Sequence, residues 1–425
     1  MNCKFINSET ENEMVFTRRE LHKYPEEAFA EYKTTYMIVK RLTELGYKVT
    51  YGRELYENVE KWHNDEASDA AAAERAAYEG VPVDFLEKIK GGYTGAVAEM
   101  KFDKEGTLKL LRFDIDALKL DETTEKEHIP NKEGFRSCHT GLMHGCGHDG
   151  HTAAGLGIAR AVAENKDCFS GRIRLLFQPA EEGAMGAKCM KKYVKDADFC
   201  IGAHIGICAD KLGEIDVVSD FLATSKIDIE FFGRASHAGI APEKGINALW
   251  AAAALTNAAY NIPRPDFGRT MINVGTLTGG TARNIIADYA YMQAETRGQS
   301  TELNEYMKNE FLSLAKNCEE IYGAKVKITV LGEAVSESTS AEMIPFAKKA
   351  AMDSGLGEKF CERKSFGASE DFSVLAKTVQ ENGGKSLYLA FGADIKGGHH
   401  TSGFDFDERV LKIFAENMCR TAGEI

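Results

Sequence analysis

The chain has 425 residues, of which 44% are hydrophobic, which is enough for a sizeable core and for more than one domain. Its formal net charge of −13 argues against unaided binding to nucleic acid or to an anionic membrane. No stretch approaches the ~18 apolar residues of a membrane-spanning helix, and residues 1–16 lack the apolar core of a signal peptide. Because the ten cysteines are scattered, not densely spaced, we expect a cytoplasmic protein.

The first half of the chain has the alternation of helical and strand patterns that is typical of α/β proteins. Residues 14–45 predict an amphipathic helix that breaks near Tyr24-Pro25, and residues 56–90 resemble an insertion with a helical middle at Ala70–Tyr78. A helix is expected over Thr152–Ala163, with Asp149 as its N-cap. The predicted strands are Leu108–Phe113, Arg172–Phe177, Phe199–Ala203 and Ser386–Phe391.

Residues 221–334 have a different rhythm, which predicts a β-α-β-β-α-β order, the ferredoxin-like arrangement. The predicted elements there are Ser225–Phe232, Ala248–Tyr260, Met271–Leu277, Ala287–Glu295, Leu303–Ile321 and Lys325–Leu331. We therefore expect a larger α/β domain of residues 1–220 and 335–425, with a small domain of residues 221–334 inserted into it.

The densest group of potential metal ligands is the segment Met143–His151, with the sequence MHGCGHDGH. Cys146 and His148 stand directly before a predicted helix, and the glycines let the backbone approach an ion closely. A turn with ordinary polar histidines is the alternative, which four potential ligands within eight residues disfavour.

Glu181 and Glu182 follow the strand Arg172–Phe177 as adjacent carboxylates, which repel each other unless a cation lies nearby or one is protonated. In a metal site, one glutamate could bind the ion while the other activates water. A solvated acidic turn is the alternative.

Two further motifs, at His204 and at Gly397–His400, follow other predicted strands. Asp114 and Asp116 end the strand Leu108–Phe113, where they could orient a ligating imidazole or cap a turn. All these motifs lie at the carboxyl ends of strands, where ligands bind in open α/β sheets.

In the inserted domain, His237, Asn284 and Arg297 stand on or near glycine-flanked turns. Such donors could polarise a substrate carbonyl and hold a carboxylate, or they could simply be polar surface groups.

At these residues the chain resembles the zinc-peptidase-like amidohydrolases, a family of aminoacylases, hippurate hydrolases and indole-acetyl-amino-acid hydrolases. The resemblance runs from Arg18–Pro25 (RRELHKYP) to Phe404–Glu408 (FDFDE) and includes Ser369–Phe372 (SEDF). Within the family, the insertion at 56–90 and the run GHHTSGFDFDE are similar to the branch of p-aminobenzoyl-glutamate hydrolase A subunits. The family usually has proline where Lys119 stands, and we interpret this difference as a feature of that branch.

The resemblance implies that residues 1–220 and 335–425 form a metallopeptidase-type α/β catalytic domain that binds metal. It implies that residues 221–334 form a ferredoxin-like α+β lid and dimerisation domain. It implies Glu181 as the general base, His237 as the oxyanion donor, and Asn284 and Arg297 as substrate-binding residues. The metal ligands that it implies are Cys146, His148, Glu182, His204 and His400.

The expected reaction is metal-dependent hydrolysis of an N-acyl amino acid, with p-aminobenzoyl-glutamate the leading candidate, using one or two Mn²⁺ or Zn²⁺ ions per chain. An aminoacylase or hippurate-type hydrolase is the first alternative, and a non-catalytic subunit of a hetero-oligomeric hydrolase is the second. We expect a homodimer, or a heterodimer with a related B subunit.

Overall fold

The computed structural model describes residues 4–56 and 66–425, so the first part of the predicted insertion, residues 57–65, lies outside the described residues. The chain divides into two compact units. The large unit comprises Met1–Asp220, Glu337–Gly367 and Asp371–Ile425, and the small unit comprises Phe221–Ser336 and Ala368–Glu370. Among the described helices, none has the length and apolar character needed to cross a membrane.

The large unit begins with two helices that are separated at the predicted break, because the first one ends directly before Tyr24-Pro25. Its elements up to residue 220 are α1 (Ser8–Lys23), α2 (Tyr32–Glu44), β1 (Lys48–Tyr51), α3 (Glu66–Tyr78), α4 (Val83–Ile89), β2 (Ala96–Lys101), β3 (Leu108–Asp114), α5 (Ile129–Glu133), α6 (His148–Glu164), β4 (Arg172–Gln178), α7 (Gly186–Met190), β5 (Phe199–Ile205) and β6 (Glu214–Asp220).

The small unit has the predicted β-α-β-β-α-β order, and its four strands form one antiparallel sheet. Its elements are β7 (Ala223–Phe232), α8 (Ala248–Tyr260), β8 (Thr270–Gly279), β9 (Tyr289–Gly298), α9 (Thr301–Tyr322) and β10 (Lys325–Ala334). The strand order β10-β7-β9-β8 is that of a ferredoxin-like sheet. Apolar side chains of α8 and α9, such as Leu255 and Phe311, form its core with the sheet.

The chain then completes the large unit with α10 (Ile344–Ser354), β11 (Lys359–Ser365), α11 (Phe372–Glu381), β12 (Lys385–Phe391) and α12 (Val410–Glu424). The eight strands of this unit form one mixed sheet in the order β1-β2-β4-β3-β5-β12-β6-β11. The predicted α/β class, with a ferredoxin-like second fold, is therefore confirmed.

The four strands predicted in the large unit, β4, β3, β5 and β12, are adjacent and parallel at the centre of this sheet. They are almost entirely buried, as expected for parallel strands that are covered on both faces. Because they run in the same direction, their carboxyl ends lie at one edge of the sheet. Helix α6 packs closely on them at Gly155, where any Cβ would lie 2.8 Å from the ring of Phe113.

One local prediction is wrong. Asp149 is not the N-cap of α6, because the helix begins at His148 after Gly147, whose φ of +92° is a left-handed conformation that favours glycine. Arg297 lies at the end of its strand as expected, because β9 ends one residue later at Gly298, and it pairs there with Thr224 of β7 and Met271 of β8.

The described part of the insertion consists of α3 and α4, which pack on the start of α2. Ala72 and Ala76 of α3 form a small apolar cluster with Ala30 and Tyr32. The Tyr32 hydroxyl accepts a hydrogen bond from the backbone N–H of Gly92 at 3.0 Å, so the end of the insertion is also fixed to α2.

Candidate active site

The carboxyl edge of the central strands brings together the sulfur, nitrogen and oxygen atoms of separate motifs. Sγ of Cys146, before α6, lies 3.5 Å from Nε2 of His204 on β5. Ligand atoms of Cys146, His148 and His204 lie within 4.8 Å of one another, and so do those of Cys146, Glu182 and His400. The five residues therefore form a single cluster, with Cys146 common to both groups.

Two of the imidazoles are held with Nε2 available for a ligand. Nδ1 of His148 donates to the backbone carbonyl of Asp116 at 3.0 Å, and Nδ1 of His204 donates to that of Ile205 at 2.8 Å. A carbonyl on the other ring nitrogen is how proteins fix the tautomer of a metal-binding histidine. Nε2 of His148 is buried and has no hydrogen-bond partner among the described residues.

The electrostatic surroundings favour a cation. Burial disfavours a charged His148, but Asp114 and Asp116 outweigh it, and the pKa of His148 lies well above its usual value. Burial and then the charge of Glu182 raise the pKa of the Cys146 thiol well above its usual value. The thiolate of Cys146 would therefore need a positive ion beside it.

The loop after β12 closes the cluster from a fourth strand. The backbone N–H of His400 donates to the carbonyl of Gly145 at 2.8 Å, and its Nε2 lies 3.4 Å from Oε2 of Glu182. The side chain of His400 is 55% exposed, so it forms the solvent side of the cluster. His399, next to it, is also present, with Nδ1 3.6 Å from Sγ of Cys146.

The turn that carries the two glutamates is fixed by two buried carboxylates. The backbone N–H groups of Glu181 and Glu182 donate to the two oxygens of Asp116 at 3.0 and 3.1 Å. The N–H of Ala180 donates to Oε1 of Glu31 at 3.0 Å, and Ala180 has a left-handed φ of +57°. Three consecutive amides are thus held, and Oε2 of Glu181 lies 3.8 Å from Nε2 of His148.

Asp114 supports the cluster through side chains, whereas Asp116 does so through the backbone of the turn. Asp114 accepts hydrogen bonds from Nδ1 of His151 at 2.5 Å and from Arg112 at 2.6 Å. Burial would raise the pKa of Asp114, but His148, His151 and Arg112 outweigh it and lower the pKa well below the usual value. Nε2 of His151 accepts from the backbone N–H of Ile205, so both ring nitrogens of His151 are used within the protein.

Two buried arginine networks that were not predicted from the sequence support these loops. Arg112 also donates to Gln178 at 3.0 Å and to Asp371, a residue of the SEDF motif, at 2.9 Å. Arg18 donates to Asp149 at 2.9 Å and to Asp405 at 2.6 Å. Arg18 and Asp405 belong to the two terminal segments RRELHKYP and FDFDE, whose pairing could have been suspected only from their opposite charges.

The cluster fits a divalent transition-metal ion. A thiol, imidazole nitrogens and a carboxylate are the ligands that Zn²⁺ prefers, and histidine with carboxylate also suits Mn²⁺. The orphaned and buried Nε2 of His148 points to a ligand that the protein itself does not supply.

Comparison with known proteins decides the family. The sequence model that describes peptidase family M20/M25/M40 matches residues 110–424 of this chain. The chain belongs to this family.

Similar proteins match this M20 family member over almost its whole length. It is 39% identical to a Haemophilus influenzae homolog of the p-aminobenzoyl-glutamate hydrolase A subunit, over 94% of this chain and 95% of that protein. It is 36% identical to the A subunit of p-aminobenzoyl-glutamate hydrolase of Escherichia coli, over 99% and 97%. It is 37% identical to the indole-3-acetyl-aspartic acid hydrolase of Enterobacter agglomerans, over 96% and 95%.

A solved structure, that of the aminobenzoyl-glutamate utilization protein from Klebsiella pneumoniae, has the same fold. It is 29% identical and superimposes with a TM-score of 0.83 over 98% of this chain and 96% of that one. The M20 family member described here is accordingly a hydrolase.

In the small unit, His237 and Asn284 are neighbours, whereas Arg297 is remote from both. The backbone N–H of Ala238 donates to the carbonyl of Asn284 at 3.0 Å, and both side chains are exposed. Arg297 lies at the other end of β9, eight residues from Tyr289, or about 26 Å along an extended strand. Its guanidinium donates to Glu295 at 3.0 and 3.1 Å.

Proposed function

We propose that this chain hydrolyses the amide bond of an N-acyl amino acid, with p-aminobenzoyl-glutamate as its substrate. The cluster of Cys146, His148, Glu182, His204 and His400 around one point, with Glu181 beside it, carries the reaction type. The substrate is suggested by two relatives named for the A chain of p-aminobenzoyl-glutamate hydrolase, at 36% and 39% identity.

The five clustered residues would hold one or two divalent ions, Mn²⁺ or Zn²⁺. Such an ion, when bound, lowers the pKa of water and polarises the carbonyl group of the substrate. A thiolate among the ligands favours Zn²⁺, while the glutamate and the three histidines are equally suited to Mn²⁺.

Glu181 is the proposed general base. Its carboxylate takes a proton from the attacking water and returns that proton to the nitrogen of the leaving amine. Asp116 holds the backbone of Glu181, and Glu31 holds that of the preceding residue, so the carboxylate keeps its position while its charge changes.

His237 is the proposed oxyanion donor. Its Nδ1 accepts hydrogen bonds from the backbone N–H groups of Gly239 and Ile240, both at 3.1 Å. The proton of a neutral ring therefore lies on Nε2, which is free to donate to a developing oxyanion. Asn284, which is adjacent to it, and Arg297 are proposed to bind the substrate, although the ion pair with Glu295 makes Arg297 the less available of the two.

The active form is proposed to be a dimer, either of two copies or with a related B subunit. The E. coli relative is named as one of the subunits of its enzyme, which motivates the second possibility. A cytoplasmic location is part of the same proposal, since a reducing compartment would keep the Cys146 thiol available as a ligand.

Two alternatives to this function are a hydrolase that acts on another acyl group and a subunit without catalytic activity. The relative named indole-3-acetyl-aspartic acid hydrolase, at 37% identity, favours an acyl-amino-acid hydrolase with the same site and another acyl group. A non-catalytic subunit is disfavoured by the presence of Glu181 and of all five clustered residues.

The decisive assay measures hydrolysis by the purified chain, apo and reloaded with Mn²⁺ or Zn²⁺. The panel comprises p-aminobenzoyl-glutamate, indole-3-acetyl-aspartate, hippurate and N-acetyl amino acids. Ion-dependent release of p-aminobenzoate, faster than cleavage of the other amides, is expected. Faster cleavage of another amide would refute the substrate, and activity only with a co-expressed partner would assign the reaction to a hetero-oligomer.

A further inference from the structure

We propose that Glu79, Cys138 and His139 form a second metal site, for a thiophilic divalent ion such as Zn²⁺, that fixes the inserted helix α3 to the large unit. A carboxylate oxygen, a sulfur and an imidazole nitrogen of these residues lie within 4.8 Å of one another. None of these three residues belongs to the cluster around Cys146, and none has a part in the proposed hydrolysis. The proposal is therefore independent of the proposed function.

His139 is oriented as a metal-binding histidine is. Its Nδ1 lies 2.8 Å from the carbonyl oxygen of Pro25, to which it donates, and its Nε2 faces Oε1 of Glu79 at 2.5 Å. A carbonyl on the remote ring nitrogen fixes both the tautomer and the plane of a ligating imidazole. An ion between Nε2 and Oε1 would take the place of the proton that these two atoms share.

The two oxygens of Glu79 have different surroundings, which suit one of them to an ion. Oε1 faces His139, whereas Oε2 lies 3.5 Å from Nζ of Lys33. Oε2 is buried and has no hydrogen-bond partner among the described residues, so Lys33 acts on it as a counter-charge alone. When Oε1 binds an ion, Lys33 would still neutralise the other half of the carboxylate.

Cys138 supplies the ligand that selects the class of ion. It is exposed and is a free thiol, and both its backbone N–H and its Sγ donate to the carbonyl of Lys23 at 3.0 Å. A thiolate with imidazole and carboxylate ligands is a zinc-type donor set and is unsuited to Mg²⁺ or Ca²⁺. Binding would displace the thiol proton, because the thiolate is the ligand.

The position of the cluster gives this site a structural consequence. Glu79 directly follows α3, whereas Cys138 and His139 precede Met143, which pairs with Leu118 beside Asp116. The buried side chains of α3 are two alanines, Ala72 and Ala76, and these same two form its small apolar cluster with α2. An ion held by Glu79 and the segment at 138–139 would therefore join the insertion to a loop that leads to the proposed active site.

The test uses Cd²⁺ as a spectroscopic probe, because sulfur-to-cadmium charge transfer reports a bound thiolate directly. The full chain carries Cys146→Ser, which removes the thiol of the first site. On titration with Cd²⁺ we expect a saturable band, lost when Cys138→Ser is added and kept when Cys361→Ser is added. Cys361 is a matched control, since it is a partly exposed free thiol on β11.

Adding Glu79→Gln or His139→Ala to the Cys146→Ser chain should weaken Cd²⁺ binding at least tenfold, with circular dichroism used to establish that each variant is folded. In the unaltered chain, Zn²⁺ should slow alkylation of Cys138 and leave that of Cys361 unchanged. Retention of the band after Cys138→Ser would refute the site. Unchanged affinity in folded Glu79→Gln and His139→Ala variants would also refute it, because only a lone thiol would then be binding.

Discussion

The proposed roles separate proton transfer, by Glu181, from ion binding, by Glu182. Both carboxylates lie near Nε2 of His148, Glu181 at 3.8 Å and Glu182 at 3.9 Å, and Glu182 also lies 3.4 Å from Nε2 of His400. Replacing Glu181 by Ala should therefore leave bound ion unchanged and lower kcat by about 10²–10⁴-fold, the usual contribution of general acid–base catalysis. Steady-state kinetics with the preferred amide, together with elemental analysis, measures both quantities.

Glu182→Ala is the matched variant for Glu181→Ala, since it should lose ion as well as activity. Near-normal turnover of purified Glu181→Ala, with contaminating hydrolase excluded by an inactive double variant, would contradict the assignment of the base.

Nδ1 of His237 accepts two hydrogen bonds from its own loop, which leaves Nε2 as the donor of the neutral ring, so the contribution of His237 should appear in the transition state. His237→Ala removes the Nε2 donor, and we expect kcat to fall by about 10²–10³-fold, the loss typical of one oxyanion donor. KM and ion content should change little. Arg234→Ala, in the same exposed segment, is the control, because its guanidinium donates to the carbonyl of Lys244 instead. Equal effects of the two substitutions would indicate a general disturbance of the loop.

At the scale of elements, the turn after β4 depends on a carboxylate from the start of α2. Oε1 of Glu31 accepts from Ala180 N–H at 3.0 Å, and Oε2 accepts from the Thr94 hydroxyl at 2.5 Å. Glu31→Gln replaces one acceptor oxygen by an NH2 group, so one of these two hydrogen bonds must reverse or be lost, and a buried unsatisfied donor costs about 1–3 kcal/mol. We expect kcat to fall roughly tenfold through displacement of Glu181, with KM nearly unchanged.

Glu26→Gln is the control for that effect, because Glu26 is equally buried but accepts from the amides of Lys33 and Thr34 at the start of α2. A structural role alone would make both variants less stable without separating their kcat values. A fall in kcat for Glu26→Gln as large as for Glu31→Gln would therefore contradict the positioning role.

Glu26 also predicts a pH-dependent stability. Burial raises its pKa to about 7, against the opposing effect of the Thr34 and Lys33 amides, from an ordinary value of 4.5. The folded chain thus holds this proton more tightly than the unfolded chain. Its stabilising contribution is complete below about pH 4.5 and is lost as the pH rises through about 7, with a magnitude on the order of 3 kcal/mol.

Urea unfolding between about pH 5 and about pH 8 measures this contribution. The free energy of unfolding of Glu26→Gln, relative to the unaltered chain, should rise with pH over that interval. Glu214→Gln should give a constant difference, because hydrogen bonding to Lys359 lowers the pKa of Glu214 to about 2 and keeps it ionised throughout. A constant difference for Glu26→Gln would contradict the raised pKa.

In the molecule as a whole, periodicity and local motifs predicted the central strands of the large sheet but not its edge. The central strands β3, β4, β5 and β12 are continuous apolar runs, which made them recognisable in the sequence. Once these strands are taken as parallel, the motifs at their carboxyl ends must lie at the same edge of the sheet. The edge strand β11, with the sequence KFCERKS, carries mostly charged residues and was not predicted. Its place is set by pairing with β6, which is distant in sequence.

Residues that act through distant partners were the ones that sequence reasoning missed or misassigned. Asp149 is of a residue type that favours N-caps, but its carboxylate binds Arg18, 131 residues away, and His22. Arg112 meets Asp371 across 259 residues. No local pattern encodes such pairings, because only the fold of the whole unit brings the two partners together.

The cluster around Cys146 joins four segments of the large unit, so an ion bound there should stabilise the whole fold. At a free ion concentration of about 100 times Kd, mass action contributes about 2.7 kcal/mol. For a unit of about 300 residues, that corresponds to a Tm increase of roughly 4 °C. Scanning calorimetry of the Cys138→Ser chain, with ions and after chelation, measures this site without the one proposed at Glu79.

Two variants, one that alters catalysis and one that alters ion binding, show whether the change in Tm on chelation comes from the ion at this cluster. Glu181→Ala in the Cys138→Ser background keeps all five clustered residues, so chelation should lower its Tm as much as that of its parent. His204→Ala loses the imidazole 3.5 Å from Cys146, so its Tm should respond weakly to chelation. An unchanged Tm of the parent after complete removal of bound ion, established by elemental analysis, would mean that these segments meet without needing an ion. The ion would then serve the chemistry alone.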